Sequence, residues 1–155
     1  MNTDRPHTGH EASAQCGPPV LLTTLRRLFH PNSPHHLLCR MRYAVDDPYA
    51  VAVDLFGDPD IDLCVTWVVA RDLLAQGTRR PSGEGDFRVW PSYRRPGEPA
   101  RLCFSLIRPH GQVTFEADLA DIRHWLDATY ALIPSGTEHR MIDWDTLTAH
   151  WFDRT

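Results

Sequence analysis

From position 20 almost to the end of the chain, apolar residues fall in short runs separated by turns rich in proline, glycine and aspartate. Residues 20–29 are rich in Val, Leu and Thr and read as a strand. His30-Pro31-Asn32-Ser33-Pro34 closes it, because prolines cannot sit in a central ladder. Residues 37–45 put Leu37, Cys39, Met41 and Tyr43 on one face and Arg40 and Arg42 on the other, the signature of a half-buried strand. Asp46-Asp47-Pro48 turns the chain, and residues 49–56 return with Val51, Val53 and Leu55 aligned, which predicts a hairpin. After Gly57-Asp58-Pro59-Asp60 a further strand spans 63–69.

Residues 70–76 are good helix formers, and Gly77 suits the left-handed position just past a helix end. Strands over 85–91, 100–107 and 112–117 follow, separated by Pro96-Gly97-Glu98-Pro99 and Pro109-His110-Gly111. Residues 118–133 carry a helical stripe of Leu119, Ile122, Leu126 and Ile133 flanked by Trp125 and Tyr130, ended by Pro134-Ser135-Gly136. Asp143 then caps a last helix with Trp144, Leu147 and Trp151 one turn apart. Short connections between strands predict a mostly antiparallel sheet of about seven strands in an α+β fold, with a short mid-chain helix and two C-terminal helices. Residues 1–17 read as a disordered polar arm, and 18–155 as a single domain.

The net charge of −4 argues against a strong global attraction to nucleic-acid phosphates or anionic lipid. None of the four cysteines, Cys16, Cys39, Cys64 and Cys103, sits in a C-x-x-C pair, so neither a zinc knuckle nor a redox dithiol is indicated. They read as small apolar residues kept reduced in a cytosol. The first residues carry no apolar leader and the run 20–25 is too short to span a bilayer; the expectation is a cytoplasmic protein without integral membrane association.

Catalytic, metal and cofactor motifs are wanting. Asp58, Asp60 and Asp62 alternate as in a calcium loop, but Leu63 and Val69 stand where such a loop needs glycine and glutamate. The histidines have no metal-binding spacing, and there is no G-x-S-x-G, S-x-x-K or Walker-type loop. Ser82-Gly83-Glu84-Gly85 precedes a strand, whereas a phosphate cradle needs a helix N-terminus, so it reads as a turn. An enzyme is therefore not expected, nor a cofactor. Arg79, Arg80, Arg88, Trp90, Tyr93, Arg94 and Arg95 resemble a recipe for binding single-stranded nucleic acid, which stands as the alternative reading. Glu84, Asp86 and Glu98 interrupt that patch. Arg79, Arg80, Arg94 and Arg95 are better candidates for meeting a protein partner, because arginine is enriched at interfaces.

Three stretches together resemble the SsgA-like family of sporulation and cell-division proteins. They are Asp47-Pro48-Tyr49-Ala50-Val51 with Tyr43 and Asp46; the run 67–77 continuing through 80–91; and Pro134 with Thr137-Glu138-His139-Arg140, followed by Asp143 and Asp145. The likeness covers about residues 20–153. Within it, Trp67, Arg71, Asp72, Gly77, Gly83, Gly85, Asp86, Arg88, Trp90 and Pro91 are motif residues that read as structural. Arg71, Asp72 and Asp86 are expected to form a local turn-and-cap network at the strand–helix junction. The resemblance implies a fold related to the "whirly" single-strand-binding proteins and a homotrimer. It further implies a non-catalytic role in choosing the septum site, with the tubulin-like protein FtsZ and other family members as partners and a location at the division septum. Nucleic-acid binding does not transfer with a shared fold, since function belongs to sites.

Overall fold

The computed structural model describes residues 17–29, 36–57 and 63–152. Its strands are β1 (Val20–Leu28), β2 (His36–Arg42), β3 (Ala50–Phe56), β4 (Cys64–Ala70), β5 (Phe87–Ser92), β6 (Arg101–Arg108) and β7 (Gly111–Asp118). The helices are α1 (Arg71–Gly77), α2 (Leu119–Leu132) and α3 (Trp144–Phe152), with a 3-10 turn at Glu138–Met141 before α3. The arm and the turns expected at 30–34 and 58–60 lie outside the described residues.

All seven strands join one antiparallel sheet in the order β4-β3-β2-β1-β7-β6-β5. Adjacent hairpins account for most of this order. The exception is the centre, where β1 lies against β7, with Arg26 opposite Glu116 and Leu28 opposite Thr114. Helix α1 packs against both outermost strands, β4 and β5, so the sheet curls until its edges approach one another.

Strand alternation then decides what is inside. Leu25, Met41, Val51, Val53, Val89, Leu102 and Phe115 point inward and are buried. Phe104 stacks between Phe87 and Phe115, with ring centroids 6.1 Å and 5.6 Å away. Helix α2 closes this concave face. Asp118 caps it, its carboxylate accepting from the backbone N–H of Ala120 at 2.9 Å and of Asp121 at 3.2 Å. The predicted stripe is buried as Leu119, Ile122 and Leu126, and Trp125 joins it. Thr129, fully buried on the same face, donates its hydroxyl to the Leu126 carbonyl at 2.7 Å, which spares it an unpaired polar group.

One expectation needs correction. Gly77 is the last residue of α1, not a left-handed residue beyond it, and the C-cap is Thr78 at φ −70°. Thr78 satisfies the helix end itself, through its N–H on the Leu74 carbonyl (3.2 Å) and its hydroxyl on the Ala75 carbonyl (2.7 Å). Glycine is needed at position 77 for another reason: a Cβ there would stand 2.3 Å from Val89 Cγ1, so α1 lies directly on β5. Cys64 lies on the edge strand β4 and is exposed, whereas Cys39 and Cys103 are buried.

Candidate functional site

Arg71, the first residue of α1, is among the largest fully buried side chains. Its Nη1 donates to the carbonyls of Thr129 (3.1 Å) and Ile133 (3.0 Å), and its Nη2 to Glu138 Oε1 (2.6 Å). The guanidinium lies against the rings of Tyr130 (4.1 Å) and Tyr43 (4.7 Å). A cation on the carbonyls that end α2 opposes the helix dipole; the Thr129 carbonyl also accepts the Ile133 N–H at 3.0 Å. The Glu138 carboxyl is held below the usual carboxylate range by its own backbone N–H first and by Arg71 as well, against the opposing effect of burial. Burial and then the hydrogen bond to Asp72 push the Tyr130 hydroxyl up; it donates to Asp72 Oδ1 at 2.6 Å. The network therefore reaches from α1 to the far end of α2, well beyond the local junction expected. Asp86 is exposed, and its backbone carbonyl accepts from Ile107 N–H at 2.8 Å.

The remaining motif residues shape the connection from α1 to β5. Gly83 has a φ of +92°, and a Cβ there would stand 2.4 Å from the Phe87 carbonyl oxygen. Gly85 is also left-handed, at φ +74°. With this turn in place, Ser82 pairs with Val89 through two backbone bonds of 2.8 Å and 2.9 Å and covers the outer edge of β5. Arg80, Arg88 and the half-buried Trp90 line a depression of about 410 Å³ beside this turn. Pro91 sits on β5 opposite Leu102, where the outer edge asks for no N–H from it.

The two segments that carry the four candidate arginines are linked by a residue that sequence reasoning missed. Arg123 on α2 donates through Nη2 to the Thr78 carbonyl (2.6 Å) and to the Tyr93 hydroxyl (3.4 Å). It thus draws together the end of α1, with exposed Arg79 and Arg80, and the exit of β5, with exposed Arg94 and Arg95. Arg79 and Arg123 line a shared depression with Asp127 and Tyr130. Arg94 is committed in part, since Nη2 binds Glu116 Oε2 at 2.5 Å on the outer face of the sheet, where Arg26 Nε meets the other oxygen at 2.6 Å. A position five residues after the cap Asp118, on the polar face of α2, was the only signal for Arg123, and it does not distinguish a bridging cation from a solvated one.

A second feature was invisible in the sequence because six strands build it. At one mouth of the curled sheet a cavity of about 550 Å³ is lined by Leu37, Leu55, Val65, Trp67, Val113 and Phe115, with Arg27, Arg108 and His110 also lining it. The Arg108 guanidinium lies 4.5 Å from the Trp67 ring centre and so bridges from β6 to β4 across the mouth. On the outer face, Asp54 is buried among Arg42 (Nε 2.7 Å), Arg40 (Nε 2.8 Å) and Thr66 (Oγ1 2.8 Å). The Arg42 hydrogen bond, followed by Thr66 and Arg40, holds its carboxyl far below the usual range despite burial. Among the described residues no group of His, Cys, Asp and Glu converges as a metal site would.

The family model described as "Streptomyces sporulation and cell division protein, SsgA" matches residues 37–138 of the chain. The chain belongs to the SsgA family. Curated members are similar over most of its length. The sporulation-specific cell division protein SsgB of Thermobifida fusca is 42% identical over 118 residues, which is 76% of this chain and 82% of that one. SsgB of Streptomyces coelicolor is 43% identical over 110 residues, covering 71% and 77%. Two solved structures share the SsgA-family fold. The SsgA-like sporulation-specific cell division protein of T. fusca superposes with a TM-score of 0.75 at 35% identity, covering 86% of this chain and 95% of that one. A structure from work on SsgB mutations that correlate to longitudinal cell division during sporulation of S. coelicolor gives 0.73 at 36% identity, covering 81% and 96%. The matched region holds the Arg71–Glu138 pair, the turn at 83–85 and Arg79, Arg80, Arg94, Arg95 and Arg123. No helix among the described residues is long and apolar enough to cross a membrane.

Proposed function

We propose that this SsgA-family chain is a non-catalytic adaptor in sporulation-linked cell division, which helps position the septum by recruiting FtsZ and works as a homotrimer at the septum. Its similarity to several proteins named as sporulation-specific cell division proteins carries this reading. The exposed arginines at positions 79, 80 and 95 support it at the level of surface chemistry: local positive charge on a chain of net charge −4 speeds encounter with an acidic partner.

Imaging a tagged copy in its host together with FtsZ tests the placement. Septal bands of the chain appearing before or with those of FtsZ are expected; a uniform signal would contradict it. Co-sedimentation tests the surface. Replacing Arg79, Arg80 and Arg123 by Glu is expected to lower the fraction pelleting with FtsZ polymers by about tenfold at low salt.

One observation favours a second reading. Trp90 and the exposed Tyr93 lie beside the same arginines, as aromatic platforms do in single-strand nucleic-acid binders. A salt titration with a labelled oligonucleotide separates the two. Affinity that falls steeply and linearly on a logarithmic salt scale would favour the nucleic-acid reading, and negligible binding at physiological salt the adaptor.

A further inference from the structure

The two edges of the sheet are finished differently. On β5 the outward backbone groups of Val89 are taken by Ser82. On β4 the ladder to β3 is phased by two bonds, Arg71 N–H to the Tyr49 carbonyl and Gly57 N–H to the Leu63 carbonyl, each 2.8 Å. Antiparallel pairing alternates, so residues 63, 65, 67, 69 and 71 turn their backbone toward β3. Cys64, Thr66 and Val68 turn theirs away from the sheet, and no strand or strap among the described residues covers them. This edge is also apolar and exposed: Leu63 is 54%, Val65 39% and Val68 66% accessible. Soluble proteins ordinarily blunt such an edge with charge, proline or a bulge.

The same strand forms one wall of the 550 Å³ cavity, through Val65 and Trp67. Leu55 and Phe115 lie on other walls, and Arg27, Arg108 and His110 are its ionisable lining residues. No Asp or Glu is among its described lining residues, although the chain as a whole is acidic. An unpaired edge, an apolar cavity beside it and a cationic rim make one composite surface. Each part selects a different property of a ligand: main-chain hydrogen bonds select an extended backbone, the cavity selects apolar side chains at alternate positions, and the rim selects negative charge.

We propose that β4 is a docking edge for an extended, acidic segment of a partner protein. The segment adds to the sheet as a further strand, bonds to the backbone of Cys64, Thr66 and Val68, and places alternate apolar side chains beside Val65 and Trp67 in the cavity. Its acidic residues meet Arg27 and Arg108. This deepens the adaptor reading and rests on it, adding the binding mode and a surface separate from Arg79, Arg80, Arg94 and Arg95.

The test is selection from a random dodecapeptide display library on the full chain. Recovered peptides are then synthesised and measured by fluorescence anisotropy on the wild type, Val65→Arg and Arg108→Glu, each checked for native thermal unfolding. The expected winners alternate apolar residues and carry net negative charge. V65R is expected to weaken them about tenfold or more, and R108E several-fold with an effect that shrinks as salt rises. Amide exchange at Cys64, Thr66 and Val68 is expected to slow on peptide binding, which a loss of packing alone would not produce. Four results overturn the proposal: no enrichment over an unrelated control protein, winners that bind V65R unchanged, unaltered exchange at the three amides, or a fall in the oligomeric mass of V65R, which would assign the edge to a second copy. A wild-type chain that selects such peptides yet fails to pellet with FtsZ polymers supports the edge and removes the chosen partner. Pelleting without peptide enrichment removes the edge and leaves the adaptor.

Discussion

Arg71 Nη2 and Glu138 Oε1 meet at 2.6 Å across 67 positions of sequence, with both side chains buried. Removing one member leaves the other charged in a low-dielectric site, and that cost exceeds what the pair itself contributes. Arg71→Ala is expected to lower stability by about 3–5 kcal/mol, read as a shifted urea midpoint with unchanged m. Glu138→Gln keeps an acceptor for the guanidinium and should cost less. An Arg71→Ala midpoint equal to the wild type's would show that the pair does not hold α1 to the end of α2.

Contact between Gly77 and Val89 sets the distance between α1 and β5. Gly77→Ala puts a methyl where Val89 Cγ1 would be 2.3 Å away, and overpacking of this kind costs roughly 1–3 kcal/mol. Adding Val89→Ala should restore part of the loss, because the double variant relieves the clash even as it gives up packing. Purely additive losses would contradict this account.

Asp54 predicts a pH dependence with a definite sign. Its carboxyl titrates lower in the folded chain than in the unfolded one, so the stability it contributes is complete above the unfolded value, near 3.9, and is lost as pH falls through the acid range. Asp54→Asn should be less stable than the wild type at pH 7 by about 1.5–3 kcal/mol, the range for hydrogen bonds to a charged group. The gap should hold down to pH near 5 and narrow below about 4. A gap independent of pH would assign the effect to shape and not to charge.

Thiol chemistry separates the cysteines. Burial first, and then the charge of Asp54, push the Cys39 thiol up to about 12, and burial also raises Cys103, whereas Cys64 is exposed. In a Cys16→Ser background, native protein at pH 8 is expected to react with a thiol reagent at Cys64 quickly and at the other two only after unfolding. Fast modification of Cys39, found by mapping the labelled peptide, would contradict the packing described.

Much of the strand pattern was legible because turns advertise themselves. Asp46-Asp47-Pro48 bounds β2 and β3, and Asp118 is both the end of β7 and the cap of α2, so the element limits fell within a few residues. Spacing could not reveal partners. Arg71 beside Asp72 reads as a local junction, while the fold carries its guanidinium to Thr129, Ile133 and Glu138. Gly77 looked like a helix terminator since glycine's commonest use hides its rarer one, close approach. The cavity and the bare edge of β4 depend on strand order and curl, which hydrophobic alternation leaves open. Arg79, Arg80, Arg94 and Arg95 were found as a list; the link that Arg123 makes between Thr78 and Tyr93, next to them in the chain, was not legible.

The pairing of β1 with β7 also bears on how the chain is made. β1 can zip to β2 as soon as both emerge from the ribosome, but its other side stays bare until residues 111–118 have been synthesised. During that interval a half-built sheet of β1–β4 presents Leu28 and its neighbours to the surroundings as an unsealed seam. Long-range closure of this kind is slow relative to hairpin formation. The last strand therefore acts as the latch of the nascent chain, and truncation before Asp118 would release a polypeptide prone to self-association.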